Sequence, residues 1–263
     1  MEMNFSLYYS RFAIKDNKIV IKFNSSVLDC TPNKLYYGLR ELAVRADKQD
    51  DMMLSEFKSL INVESKSEQY SQIQISIMKK YFRKWISDAL LKVTTLNKEQ
   101  YSGGISYIYL NLLYRIDYLI MPQGNILNDL ERMSWTYFND KDSTTAQKID
   151  TLENEFKKIL EYDDLKLENN FYKVKSTFGL VQPSNKKSVE EVINNNIQNI
   201  KWYLDNSQFD IALNILEYII GYSLFTYGLN KSLRIILGIM MKIINNDYIE
   251  EICGETEFFL QDN

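Results

Sequence analysis

Residues 209–244 limit what this chain can become more than any other stretch. They hold two apolar segments of helical period, separated by Tyr227, Gly228, Leu229 and Asn230. At about 100° per residue, the polar residues of the first segment, Asp210, Asn214 and Glu217, fall on one narrow arc. The rest of its circumference is apolar or aromatic. A helix of that kind is packed on most sides, so the pattern predicts a buried helical hairpin with other helices gathered around it. The same stretch is the part of the chain whose hydropathy raises a bilayer. Asn214, Glu217, Asn230, Lys231 and Arg234 interrupt it, and it holds no charge-free apolar run of about 18 residues. A core hairpin is therefore expected, not a membrane span.

The remaining chain supplies helices to pack against it. Thr31 followed by Pro32 is a helix start, because Thr caps well and Pro suits the first helical position. Leu35, Leu39, Leu42 and Ala46 follow at helical spacing. Further helical periods lie over roughly 51–63, 67–93, 105–121, 125–138 and 144–162. Pro122, Gln123 and Gly124 stop the third of these, and Ser102-Gly103-Gly104 marks a break or a point of close packing. Ser188 and Glu191 are spaced as a capping box before the stripe Val189, Val192, Ile193, Ile197, Ile200 and Leu204. Ser207 stands where it can cap the next helix and Gly228 where it can end it. Helices over 231–245 and 248–260 finish the chain.

Residues 4–23 read differently. Phe5, Leu7 and Tyr9 alternate with Ser6, Tyr8 and Ser10, the run Ile19 to Phe23 is β-branched, and Lys15-Asp16-Asn17-Lys18 supplies a turn. A lone hairpin is marginal in water. It is expected to lie on the helices or to recruit a third strand, for which 171–178 is the candidate. The expected architecture is mainly α: a multi-helix globular bundle with a small N-terminal β-hairpin. In chain order it comprises the hairpin (1–28), a helical region (29–162), a linker or irregular segment that contains Pro183 (163–187), and a C-terminal helical region with the buried hairpin (188–263).

Asn206-Ser207-Gln208-Phe209, with Ala212 on the helix that follows, resembles the turn and second helix of a tetratricopeptide repeat over about one helical pair. A solenoid needs about three repeats, and no second copy stands at the repeat spacing of about 34 residues, so the family is not assigned.

Composition bears on function mainly by exclusion. The chain has no histidine, which removes the usual general base near neutral pH and the commonest metal ligand. Its two cysteines, Cys30 and Cys253, are far apart and form neither a disulfide framework nor a zinc site. Gly103-Gly104 is followed by no phosphate-loop Lys-Ser/Thr. A net charge of -4 without a dense basic run gives no nucleic-acid footprint. Glu190 and Glu191 suit a helix N-terminus better than a metal. No cofactor is expected. A carboxylate-only active site leaves no local signature and stays open as the least favoured reading. Three Pro and nine Gly, with Lys far above Arg, match the usage of an AT-rich genome, as in a low-GC bacterium or its phage.

Two features point to recognition. On the helix over 105–121, Ile105, Ile108, Leu112, Ile116 and Leu119 make one face, and Tyr107, Asn111, Tyr114 and Tyr118 gather nearly opposite. A polar-aromatic stripe is the composition interfaces favour; the same stripe also suits packing against a neighbouring helix. Trp202 falls opposite the apolar stripe of its own helix, so it marks a binding site or is covered by other chain. Arg115, beside the tyrosines, must face solvent or find an acid from elsewhere in the fold, since Asp117 points to another side. The function expected is non-enzymatic: a protein-binding or assembly subunit of a phage particle or bacterial apparatus, partnered by another protein or by itself, cytoplasmic or within a particle, with no nucleic acid and no membrane. The alternative is a cytoplasmic immunity or antitoxin protein that masks a toxin.

Overall fold

The protein is described from a computed structural model covering residues 4–5, 7–57, 59–61, 68–173 and 185–254, without the side chains of residues 48, 51 and 55. It is a mainly α bundle with a small N-terminal hairpin, and it divides into two compact units.

The first unit is short. Strands β1 (Ser10–Lys15) and β2 (Lys18–Phe23) pair antiparallel with Lys15 opposite Lys18. Asp16 and Asn17 close the hairpin with φ of 51° and 58°, the left-handed pair that a two-residue hairpin turn demands and that Asp and Asn tolerate. That turn sets the register, so β1 occupies the six residues immediately before it. The alternating run Phe5 to Tyr9 lies upstream of the strand. Helix α1 (Pro32–Glu56) starts as expected, with Thr31 Oγ1 accepting from the Lys34 amide at 3.2 Å. It runs through the expected break near residue 50, because Ala46 to Asp51 contains neither Gly nor Pro. The hairpin lies on α1: the Phe23 ring sits so close to Gly38 that a Cβ there would meet it at 2.5 Å. Glu41 collects the amides of Tyr8, Tyr9 and Ser10 at 2.7–2.9 Å.

The second unit holds the core. Helix α2 (Gln72–Thr94) begins at a capping box of Ser71 and Gln74, five residues later than the periodicity predicts. Before it, β3 (Glu68–Gln69) pairs with β4 (Tyr172–Lys173). The candidate third strand therefore joins Glu68 and Gln69 and not the N-terminal hairpin, while 174–184 lie outside the described residues. Helix α3 (Ser102–Arg115) continues through one π-helical turn, Ile116–Ile120, and ends at Met121 in the left-handed region. Then come α4 (Gly124–Asn139) and α5 (Thr145–Leu160), the latter capped by a Thr144–Gln147 box. The segment read as irregular contains a helix, α6 (Asp164–Asn170), started by the Asp163 carboxylate and anchored by buried Leu167 and Phe171. Seven residues are too few to show a period.

Helix α7 (Lys186–Asp205) is capped by Asn185, with Ser188 as its partner in the box. The predicted Ser188 start is three residues late, because an Asn-x-x-Ser pair does the same work upstream. Ser207 does not cap the next helix. It adopts φ of 58° in the turn, and α8 (Phe209–Thr226) starts without a side-chain cap. Asn230 caps α9 (Lys231–Ile244), accepting from the Leu233 amide at 2.9 Å. Helix α10 (Asn246–Cys253) follows, and residues 255–260 of its predicted span are outside the described residues. Helix α3 is central: ten of its fourteen residues are buried, and it packs on α2, α5 and α8.

Candidate functional site

Two glycines let α8 lie against α3. A Cβ at Gly104 would stand 2.8 Å from Ile211, and one at Gly221 would stand 2.7 Å from the Tyr114 Cβ. Backbones this close bring the tyrosine stripe of α3 directly onto α8. Tyr114 is 1% exposed and lies against Tyr218, Tyr222 and Phe225, with ring centroids 5.0–6.1 Å apart. Tyr107 is half-buried, edge-on to Tyr218 at 5.0 Å, and its hydroxyl donates to Asn196 Oδ1 at 2.7 Å and accepts from Asn199 Nδ2 at 2.7 Å. Tyr118, half-buried, reaches Gly238 of α9. The stripe is thus an intramolecular seam. The expectation that it faces a partner is corrected: a helix apolar on one side and aromatic on the other is, in this fold, a helix packed on both.

The polar member of the stripe joins an ionic cluster. Asn111, fully buried, donates through Nδ2 to Glu217 Oε2 at 2.6 Å and to Asn214 Oδ1 at 3.1 Å. Arg115 Nε donates to Glu217 Oε1 at 2.7 Å, and its Nη2 donates to Oε2. Asn245, just past α9, donates to Glu217 Oε1 at 2.7 Å. The acid that Arg115 requires is therefore Glu217 of α8, 102 residues away. Burial raises the Glu217 carboxyl, but the Arg115 charge and hydrogen bonds, with the two Asn amides, outweigh it and hold the group below its ordinary value. The three arms tie α3, α8 and the end of α9 to one carboxylate. Each of its oxygens is already taken by protein donors, so the cluster is built to hold helices and leaves little for a ligand.

A second acid behaves oppositely. Asp117 lies in the π-helical turn, the kind of irregularity often found at functional sites. Burial, and then the negative charge of Glu131, push its carboxyl up to about 7. The hydroxyls of Tyr109 and Tyr114, and Asn111 Oδ1, are buried without a hydrogen-bond partner. Burial raises both tyrosines, so they stay protonated. A cleft between α4 and α5, bounded by Arg132, Asp140, Lys148 and Glu155, encloses about 70 Å³, against the roughly 300 Å³ and more of a small-molecule site. Its charges are engaged locally, as in Arg132 with Glu155 at 2.7 Å. Among the described residues, no three His, Cys, Asp or Glu side chains gather as metal ligands.

The surface offers more. Trp202 is 47% exposed, edge-on to Tyr101 and Tyr203. The larger feature is one the sequence reading put inside. Only Gly238 and Met241 of α9 are buried. Leu233, Ile236, Ile239, Met240, Ile243 and Ile244 are each 41–67% exposed. At about 100° per residue these six fall within one arc of about 140°, nearly opposite Gly238 and Met241, with Ser232 as the sole polar residue in the arc. Arg234, Lys231 and Lys242 lie toward the packed side. On α8, Phe209, Leu213 and Leu216 are also exposed. They run next to the side that meets α9, where Glu217 and Gly221 reach Asn245 and Met241. The buried hairpin is therefore corrected to a half-buried one: α8 is buried where it meets α3 and α7, and α9 covers it while leaving its own outer face open. By length and composition α8 is apolar enough to cross a membrane, yet it carries the buried Glu217–Arg115 pair and packs on three neighbouring helices.

Compared with family models, with curated proteins and with solved structures, the chain matches none.

Proposed function

We propose that this chain is a non-enzymatic interaction or assembly subunit that docks another polypeptide through the outer face of α9. The observation that carries the reading is the bare face itself. Isolated exposed apolar residues are ordinary, but a contiguous patch of several hundred Å² marks an interaction surface. Six such residues on fourteen, set opposite the buried side, form such a patch. The buried carboxylate of Glu217 offers no competing site of comparable strength, since both its oxygens are engaged by protein donors. The setting proposed with it is cytoplasmic, or inside an assembled particle of a bacterium or phage. Toxin masking would use the same face on a different partner.

The test is a photo-reactive side chain placed at Ile243 in the cells that make the protein. A covalent adduct with a polypeptide is expected. Illumination that yields adducts with lipid alone, or none, would overturn the reading.

A further inference from the structure

The β1–β2 hairpin has two edges, and the chain treats them differently. Around a two-residue turn, Lys15 and Lys18 exchange both backbone bonds. The register then turns the peptides of Ser10 and Phe12 outward on β1, and those of Ile19 and Ile21 outward on β2. On β1 the outward groups are taken. Asn4 Oδ1 accepts from the Phe12 amide at 2.7 Å, and Asn4 Nδ2 donates to the Phe12 carbonyl at 3.3 Å. Glu41 Oε1 accepts from the Ser10 amide at 2.7 Å. On β2 the amides and carbonyls of Ile19 and Ile21 meet no partner among the described residues. Such a row of alternating donors and acceptors is matched by an extended polypeptide backbone, and two strands are marginal until a third joins them.

Charge says which strand fits. Phe23 turns toward Gly38 of α1, and side chains alternate along a strand. Arg11, Lys15, Lys18 and Lys22 therefore share the face turned away from the helix. Arg11 stands opposite Lys22 and Lys15 opposite Lys18, two like-charge pairs that oppose the hairpin. Neither strand contains an acid, and none of the four cations makes an ion pair among the described residues. A strand added along β2 sets its own side chains directly beside Lys18 and Lys22, on their face of the sheet. Carboxylates four positions apart on that strand answer both. A second copy does not, because β2 in full antiparallel overlap with itself puts Lys18 beside Lys22 at both ends. Lysines on an edge refuse a like strand and, by the same charge, select an acidic one. Phosphate groups answer the cations but have no donor for the open carbonyls.

We propose that the outer edge of β2 binds an extended acidic segment of a partner polypeptide as a third strand, with carboxylates of that segment paired to Lys18 and Lys22. The site belongs to the first unit and stands apart from the reading of α9.

The experiment is an NMR titration of the full-length chain, labelled with nitrogen-15, with the end-blocked peptide Thr-Glu-Val-Thr-Val-Glu-Thr at millimolar concentration. Saturable shifts of the Ile19 and Ile21 amides are expected, with the Phe12 amide little changed. The peptide Thr-Val-Glu-Thr-Glu-Val-Thr has the same composition, but its acids are two positions apart and reach one lysine at a time. It should bind several-fold more weakly. Lys18→Glu with Lys22→Glu turns both like-charge pairs of the hairpin into opposite-charge pairs, so the fold is kept. That variant should bind the acidic peptide weaker by about tenfold or more, and should gain binding to the counterpart with Lys in place of Glu. Ile19→Pro removes one outward amide and no ladder bond, and should abolish binding with circular dichroism unchanged; if it does not fold, the charge-swapped variant decides. Absence of shifts at Ile19 and Ile21, equal binding of the two acidic peptides, or binding that survives a folded Ile19→Pro would each overturn the proposal. A thymidine oligonucleotide or phosphatidylglycerol vesicles that move these amides as strongly as the acidic peptide would assign the cations to phosphate and overturn it too.

Discussion

Glu217 and Asp117 are both carboxylates in the same packed region, and their surroundings drive them apart. Glu217 has a lowered value in the fold, so it contributes stability that is present above its ordinary 4.5 and lost as pH falls through the folded value. Asp117 is raised from 3.8 to about 7, so its contribution is present below 3.8 and lost as pH rises through 7. These two groups together place the stability maximum near pH 4, between the ordinary values of 3.8 and 4.5, and thermal melts from pH 3 to 9 will locate it. Asp117→Asn should raise stability by roughly 1–3 kcal/mol at pH 8, after allowing for residual solvent screening, and change little at pH 4. An equal effect at both pH values would refute the assignment. Arg115→Met leaves the buried Glu217 charge without its counter-charge, held only by the Asn111 and Asn245 amides, and should cost roughly 3–5 kcal/mol in urea melts, whereas Arg115→Met with Glu217→Leu should recover much of it. Tyr114 gives a cleaner pair. Its ring is wholly packed, so Tyr114→Ala should cost roughly 3–5 kcal/mol, while Tyr114→Phe removes a buried hydroxyl without a partner and should be neutral or slightly stabilising.

At the scale of elements, the α8–α9 hairpin separates what is apolar from what is buried. Ile220 is 5% exposed and Leu216 is 46% exposed, although both lie in one apolar segment. Ile220→Ala should cost roughly 2–5 kcal/mol, and Leu216→Ala well under half of that. Equal costs in denaturant melts would mean that Leu216 is covered in solution. The N-terminal hairpin depends on its turn. Asn17 sits at φ of 58°, so Asn17→Gly should keep or slightly raise stability, while Asn17→Val, β-branched in a left-handed position, should cost on the order of 1–2 kcal/mol.

At the scale of the molecule, stability is unevenly distributed. The core clusters lie in the second unit, with α3 at their centre. In the first unit, Val44 is the one buried large apolar side chain among the described residues. Hydrogen exchange should therefore be slowest over α3, with protection approaching the global unfolding free energy, and much faster over β1, β2 and α1. Exchange in the hairpin as slow as in α3 would show that the first unit is held by more than its own contacts.

What the sequence determined by itself was local. Helical periods placed α3, α4, α5, α8 and α9 within a few residues, Thr31-Pro32 announced α1, and Asp16-Asn17 announced the hairpin turn. Each of these is a property of neighbours along the chain. The candidate site was legible only as residue types: the tyrosine stripe of α3 was visible, but not whether protein or solvent faced it. Glu217 as the partner of Arg115 left no local signal, since the pairing spans 102 residues. The bare face of α9 was hidden for a related reason. A period tells which residues share a direction around one axis, not what lies in that direction: the apolar arc of α9 stands opposite Lys231, Arg234 and Lys242, yet the side that meets the fold is the one with Gly238 and Met241. Gly238, the residue that lets Tyr118 approach, was the one hint of the packed side. Which face is covered was decided by tertiary packing, because burial depends on what other helices reach that side of the axis.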